Sequence, residues 1–400
     1  MKLLYSPRSD WFLDPKIAFF NHGSFGATPK KILNLQRYFQ EEMEQEPVQF
    51  MLWRFTELLQ QSILCLAEFI NADPQDLVLV GNATEGVNTV LRSLSLRPGD
   101  EILAFDHIYG ACKNAAEFVC LQSGAVFRTI NTPIPFEGED QCLELVLSAI
   151  SERTRLFVLD AISSPVGVIF PIKKIVKHLE DKGIMVLVDG AHSLGQVPID
   201  IEKIGASFFV SNAHKWLCAP KGTAFLHVSK RHQNWIKPLA ISHGYSRDSS
   251  LFSRFQLEFG WTGTRDCSAW FTLPALLSFF DDLGGWRAVQ KSNAHRALCL
   301  RKEIEEIFEV EPLAPDFMFS HMGSVVVPKR IGTHKEYIVP EGEHLDSLWM
   351  EFFERYGIEV VVSHFKNKRI MRFSMHIHVR EEDERRLIRA CRDLSDRSVA

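Results

Sequence analysis

Ser207-Phe208-Phe209-Val210-Ser211-Asn212-Ala213-His214-Lys215-Trp216 and, upstream, Ile184-Met185-Val186-Leu187-Val188-Asp189-Gly190-Ala191-His192 are the stretches that decide the fold. Each opens with an uninterrupted apolar run and closes on polar residues. Such a run without polar alternation reads as a short strand buried on both faces, as in a parallel sheet covered by helices. In open α/β sheets ligands sit beyond the C-terminal ends of the strands. Those ends here deliver Asp189, His192, Asn212, His214 and Lys215. A buried lysine can lose its charge and act as an amine nucleophile. An aspartate beside it can keep a ring nitrogen protonated. Taken singly, Asp189 could be a helix cap and Lys215 a surface lysine lying over the core. The signal is the pair, with His192 and His214 alongside.

Working outward, strand and helix patterns alternate. Leu77–Val80, Glu101–Phe105, Ala125–Ile130, Arg155–Asp160, Ile184–Asp189, Ser207–Val210 and Thr223–Val228 read as strands. Thr84–Leu94, Gly110–Gln122, Cys142–Ser151 and Ile172–Lys182 read as the helices between them, preceded by helical spacing over Pro29–Glu46 and Phe50–Ile70. The alternation predicts an α/β fold: a mostly parallel seven-stranded sheet sandwiched by helices. From Ser268 the pattern changes to long helices, about Ala269–Asp282 and Trp286–Phe308. Strands then follow at Gly323–Val327, Ile358–Val362 and Ile370–Ser374, with a closing helix after Val379. We expect an N-terminal arm over residues 1–28, a large domain over 29–265, and linking helices with a smaller C-terminal α+β domain over 266–400.

The chain has 400 residues and a net charge of −5, which gives no reason to expect nucleic acid or an anionic membrane as partner. The opening Met1–Pro15 lacks the apolar core of a secretory signal. The apolar stretch near Phe271–Phe280 is interrupted by Pro274 and is too short to span a bilayer. Eight cysteines lie scattered with no CxxC pair, which reads as reduced core thiols and a cytoplasmic location. His376 and His378 alternate onto one strand face, yet no acidic or cysteine partner stands at ligand spacing in the sequence, so no metal is expected.

Gly81-Asn82-Ala83-Thr84-Glu85-Gly86 follows the first strand and opens a helix. Free N–H groups at a helix start beside a threonine hydroxyl make a phosphate cradle. The stretch is neither a P-loop nor a GxGxxG turn, so a nucleotide-dependent oxidoreductase, which needs such a turn, is the weaker alternative. Tyr109 follows the second strand, where an aromatic can stack on a flat ring. Asp160-Ala161-Ile162-Ser163-Ser164-Pro165 ends the fourth strand.

Together with Asn21-His22-Gly23-Ser24-Phe25-Gly26, Trp261-Thr262-Gly263-Thr264-Arg265-Asp266 and Arg372-Phe373-Ser374, these motifs resemble the class V aminotransferase-type, fold-type I pyridoxal-phosphate enzymes. Within that family the chain most resembles the isopenicillin N epimerase-like branch. The resemblance implies pyridoxal 5′-phosphate as cofactor, linked to Lys215 as a Schiff base. It places Asp189 at the pyridine nitrogen, His192 at the ring's 3′ oxygen and Tyr109 on the ring face, with Ser164 also at the cofactor. It gives the phosphate to Ala83, Thr84, Asn212 and His214, with Thr264 reaching it from the neighbouring subunit of a homodimer that shares its active sites. Arg372 would grip the carboxylate of an amino-acid-like substrate, and His22 and Gly23 would line the substrate entrance. Two departures from the pattern stand out. Ala161 replaces a histidine common among relatives, and Tyr356 to Arg372 contains no cysteine, which argues against a desulfurase that receives sulfur on that loop. The expected activity is at the Cα–H of an amino acid: epimerisation, with β-eliminating C–S lyase, desulfurase-like or aminotransferase chemistry as alternatives.

Overall fold

The computed structural model describes residues 3–332, 336–338 and 344–397. Seven strands form the main sheet: β1 Leu77–Val80, β2 Glu101–Phe105, β3 Val126–Ile130, β4 Thr154–Asp160, β5 Met185–Asp189, β6 Phe208–Asn212 and β7 Ala224–Val228. Their order is β1-β7-β6-β5-β4-β2-β3, parallel throughout except that β7 runs against both its neighbours. The reversal has a local cause. A parallel return needs a crossover, usually a helix, and Ala213–Thr223 contains none. The lysine therefore sits in the compact return between β6 and β7.

Alternate residues of each strand enter two apolar layers. Val78, Val80, Ile102 and Ala104 pack with the helices α3 Ala83–Ser93 and α4 Gly110–Ser123. Leu77, Leu79, Leu103 and Phe105 face α2 Phe55–Ile70 and α6 Ile172–Glu180. Helices α1 Lys30–Gln45 and α5 Glu139–Ala149 complete that covering. With both faces covered, all four residues of β1 and all five of β6 are buried, which is why their sequences carry no polar alternation.

The C-terminal part has its own apolar cluster. It comprises α7 Trp286–Phe308, β8 Met322–Val327, α8 Ser347–Tyr356, β9 Val361–Phe365, β10 Lys368–Ser374 and α9 Glu381–Arg397, with an antiparallel sheet in the order β9-β10-β8. The N-terminal arm is stitched to this part. Ala18–Phe19 pairs in parallel with Ile358–Glu359, and the Ser374 N–H donates to the Phe20 carbonyl at 2.6 Å.

Two expected elements differ. Ala269–Asp282 is not one helix but a 3₁₀ turn, the short helix Leu273–Phe279 and another 3₁₀ turn. Pro274 has no N–H to give and is accommodated in the first turn of that helix. Ile358–Val362 divides: its first residues pair with the arm, whereas Val361 onward pairs with β10. Among the described residues no helix is long and apolar enough to cross a membrane.

Candidate active site

The C-terminal ends of β4, β5 and β6 and the start of α3 surround a cavity of about 150 Å³. Its lining includes Ser24, Phe25, Asn82, Ala83, Thr84, Tyr109, Asp160, Ser164, Asp189, His192, Asn212, His214 and Lys215. Residues far apart in sequence thus meet because successive strands of one sheet end side by side.

Lys215 Nζ lies 3.2 Å from His192 Nε2. Burial, and then the Arg372 charge, lower the lysine to about 8, against the pull of Asp189 and Cys112. The Trp216 indole N–H donates to His192 Nδ1 at 3.2 Å, so a neutral His192 carries its proton on Nε2, facing the lysine. Burial first, then Lys215 and Arg372, hold His192 well below its ordinary value, which keeps it neutral. Asp189 is fixed by the Ala191 N–H at 2.9 Å and the Cys112 thiol at 3.2 Å. Burial pushes the Cys112 thiol well up, so it stays a donor. Asp160 pairs with Asp189 across β4 and β5. Burial pushes its carboxyl up to about 6, with Asp189 adding to the rise and the His107 hydrogen bond opposing it.

The start of α3 behaves as a cradle. The Asn82 side chain caps the Glu85 N–H at 2.8 Å, and Asn212 Oδ1 accepts the Ala83 N–H at 2.8 Å. Among the described residues no protein acceptor meets the Thr84 N–H, leaving a helix-start donor for an anion. His214 Nδ1 donates to the Thr223 carbonyl at 2.9 Å, and burial lowers the ring to about 4. As a neutral ring it presents a lone pair on Nε2.

Arg372 is buried behind this wall. Its Nη1 donates to the Ser164 carbonyl and its Nη2 to Ser24 Oγ at 3.0 Å. Thr264 is exposed on this chain and does not line the cavity. The expected entrance residues need correction. His22 and Gly23 are buried beneath the wall, and the cavity surface at this point is Ser24 and Phe25. Gly23 has no room for exposure, lying against Trp216, Met322 and Ser374.

His22 belongs instead to a buried cluster with His376 and His378, whose nitrogens approach one another within 4.8 Å. Cys218 Sγ lies 3.6 Å from His22 Nε2 and 3.5 Å from His376 Nε2, so a cysteine that sequence spacing did not reveal arrives from the lysine loop. The hydrogen bonds assign these rings as neutral clamps. His22 Nε2 meets the Lys215 carbonyl at 3.0 Å and His376 Nε2 meets the Trp216 carbonyl at 3.2 Å, so each carries its proton there. His378 Nε2 donates in turn to His22 Nδ1 at 3.0 Å. Sequence reading also missed Ser24, Phe25, Asp160 and Cys112 as site residues. The first two are neighbours of a quoted motif, Asp160 is a strand end, and nothing in the local sequence marks Cys112.

A nucleophilic amine, a carboxylate at a strand end and an anion cradle opposite them form a site that fits pyridoxal 5′-phosphate: Lys215 for the carbonyl carbon, Asp189 for the ring nitrogen and the α3 start for the phosphate. The fold and site define a pyridoxal-phosphate enzyme. Residues 19–387 match the family model described as aminotransferase class-V, and the chain belongs to that family. It is 28% identical over 395 residues to isopenicillin N epimerase of Amycolatopsis lactamdurans, covering 96% of each chain. It is 30% identical to a probable chloroplastic L-cysteine desulfhydrase of Arabidopsis thaliana, covering 81% of this chain and 71% of that one. Among solved structures, a C-DES mutant with glycine covalently linked to its pyridoxal-phosphate cofactor superposes with a TM-score of 0.83 at 20% identity, covering 97% of this chain and 100% of that one.

Proposed function

We propose that the protein removes the α-proton of an amino-acid substrate and that a solvent-derived proton is added on the opposite face, an epimerisation of the kind its isopenicillin N epimerase relatives are named for. The observation that carries this reading is Lys215, a buried amine lowered to about 8 beside a neutral His192 and in front of Asp189. The cofactor, when bound, supplies an electron sink next to the substrate Cα. Lys215 Nζ takes the proton from Cα, a role that needs a base titrating near neutral pH. Asp189 holds a proton at the ring nitrogen, and its own orientation comes from Ala191 and Cys112. Arg372, set by Ser24 and Ser164, aligns the substrate carboxylate so that the Cα–H faces Lys215. The working unit is a homodimer in which Thr264 completes the partner's phosphate cradle.

A second reading, β-elimination from a cysteine-like substrate, is favoured by the desulfhydrase relatives, and the hairpin before Arg372 argues against its desulfurase variant. There β9 passes to β10 through Lys366 and Asn367 alone, with Lys366 at φ 55°. This tight turn holds no thiol to receive sulfur. One incubation in heavy water with a panel of amino acids separates the readings. Epimerisation gives α-deuteration and inversion without ammonia, whereas elimination gives ammonia and a keto acid. Stoichiometric alanine with an enzyme-bound persulfide overturns both.

A further inference from the structure

A second cavity, of about 450 Å³, opens beside the first and shares Ser24 and Phe25 with it. Its walls come from the N-terminal arm, α8 and Glu359; Leu13, Ile17, Phe19, Phe25, Trp349 and Phe353 supply most of the surface, with Arg8, Asp14 and Glu359 as its charged members. Trp349 and Phe353 stand four residues apart on α8, so their rings share one helix face. Trp349 is held in place: its indole N–H donates at 3.1 Å to Glu359 Oε1, which also accepts the Asn21 amide at 2.9 Å. The ring is thus a fixed platform with its polar edge already satisfied. The volume lies within the roughly 300–1,000 Å³ usual for ligand clefts.

We infer that this cavity receives the substrate's side chain, and that the substrate carries an apolar or aromatic group much larger than the side chain of cysteine. The inference rests on the proposed function, through the place of Arg372. That guanidinium donates to Ser24 Oγ, and Ser24 lines both cavities, so a carboxylate gripped by Arg372, as the proposed function has it, lies at their junction. With the carboxylate at the junction and the Cα–H turned to Lys215, the remaining substituent on Cα has the second cavity as its adjoining space. An amino acid as small as cysteine leaves that space unfilled. A side chain with a phenyl or long thioether group buries apolar surface against Trp349 and Phe353.

The test uses the holoenzyme and three probes, L-cysteine, S-ethyl-L-cysteine and S-benzyl-L-cysteine, with two readouts. One is α-deuteration in heavy water. The other is binding, titrated through the shift of the cofactor's visible band. We expect kcat/KM for α-exchange and affinity to rise along the series, with S-benzyl-L-cysteine ahead of L-cysteine by about tenfold or more. Trp349→Ala should erase that preference by bringing kcat/KM and affinity for S-benzyl-L-cysteine down toward the values for L-cysteine. Phe353→Leu, a milder change, should reduce it in the same direction if Trp349→Ala fails to fold. Equal affinity for all three probes overturns the inference. So does a variant that alters subunit association but not the preference, because the apolar wall would then be an interface between copies of this chain. If no probe exchanges its α-proton, the proposed function fails, and the binding series alone still decides whether the cavity takes the side chain.

Discussion

Lys215 combines two properties that ordinary lysines keep apart, burial and a free lone pair. Burial and the nearby Arg372 charge bring it to about 8, and only the neutral amine can attack the cofactor's carbonyl. The sign follows directly. Below that value the amine is protonated and inert, and above it the amine is free. Loading of cofactor onto the apoprotein should therefore slow by about tenfold per pH unit below pH 8 and level off above it. Appearance of the visible band after mixing reports this, and a rate indifferent to pH between about 6 and 9 would show the amine to be unperturbed. Lys215→Ala should form no band that borohydride bleaches and should lose turnover by at least about a hundredfold, because a general base is removed along with the anchor.

At the scale of elements, the loop between β6 and β7 is held from behind. Gly26 of the arm passes so close that a Cβ there would lie 2.4 Å from the His214 carbonyl and 2.6 Å from that of Lys215. His22 and His376 donate to the Lys215 and Trp216 carbonyls. His376→Phe keeps a ring of similar size and leaves the Trp216 carbonyl only the weak Cys218 thiol at 3.9 Å, which should cost about 1–3 kcal/mol of stability. A denaturation midpoint unchanged from the parent would show that the Cys218 thiol suffices for the carbonyl. This clamp also marks where sequence reading stopped. The apolar runs before Asp189 and Lys215 announce their strands because both faces are covered, so periodicity carries the information. Strand ends then place Asp189, Asn212 and Lys215 together without further assumption. The histidine companions of His22 lie hundreds of positions away in the segment after β10, and no local pattern reports a contact made only by folding. The same holds for Cys112 against Asp189. Pro274, by contrast, was visible in the sequence, and its effect on the expected long helix follows from its missing N–H.

At the scale of the whole molecule, the cradle at α3 has the Thr84 N–H and the Asn212 side chain on one side, while Thr264 of the same chain lies exposed and away from the cavity. If a second copy brings Thr264 to the phosphate, each site is built from two chains, and the cofactor binds the assembled state more tightly than the separated one. Mass action then requires that cofactor favour assembly. Sedimentation with and without cofactor should show dimer persisting to lower protein concentration in its presence. The sharper consequence concerns mixtures. Thr264→Ala weakens the cradle it lends to its partner, and Lys215→Ala destroys the site on its own chain. In a mixed dimer, one site pairs the intact Lys215 of the Thr264→Ala chain with the intact Thr264 of the Lys215→Ala chain. Activity at low cofactor should therefore exceed that of either variant alone after the two are exchanged together. Two sites contained within single chains would give only the average of the two variants, however long the mixture is left to exchange.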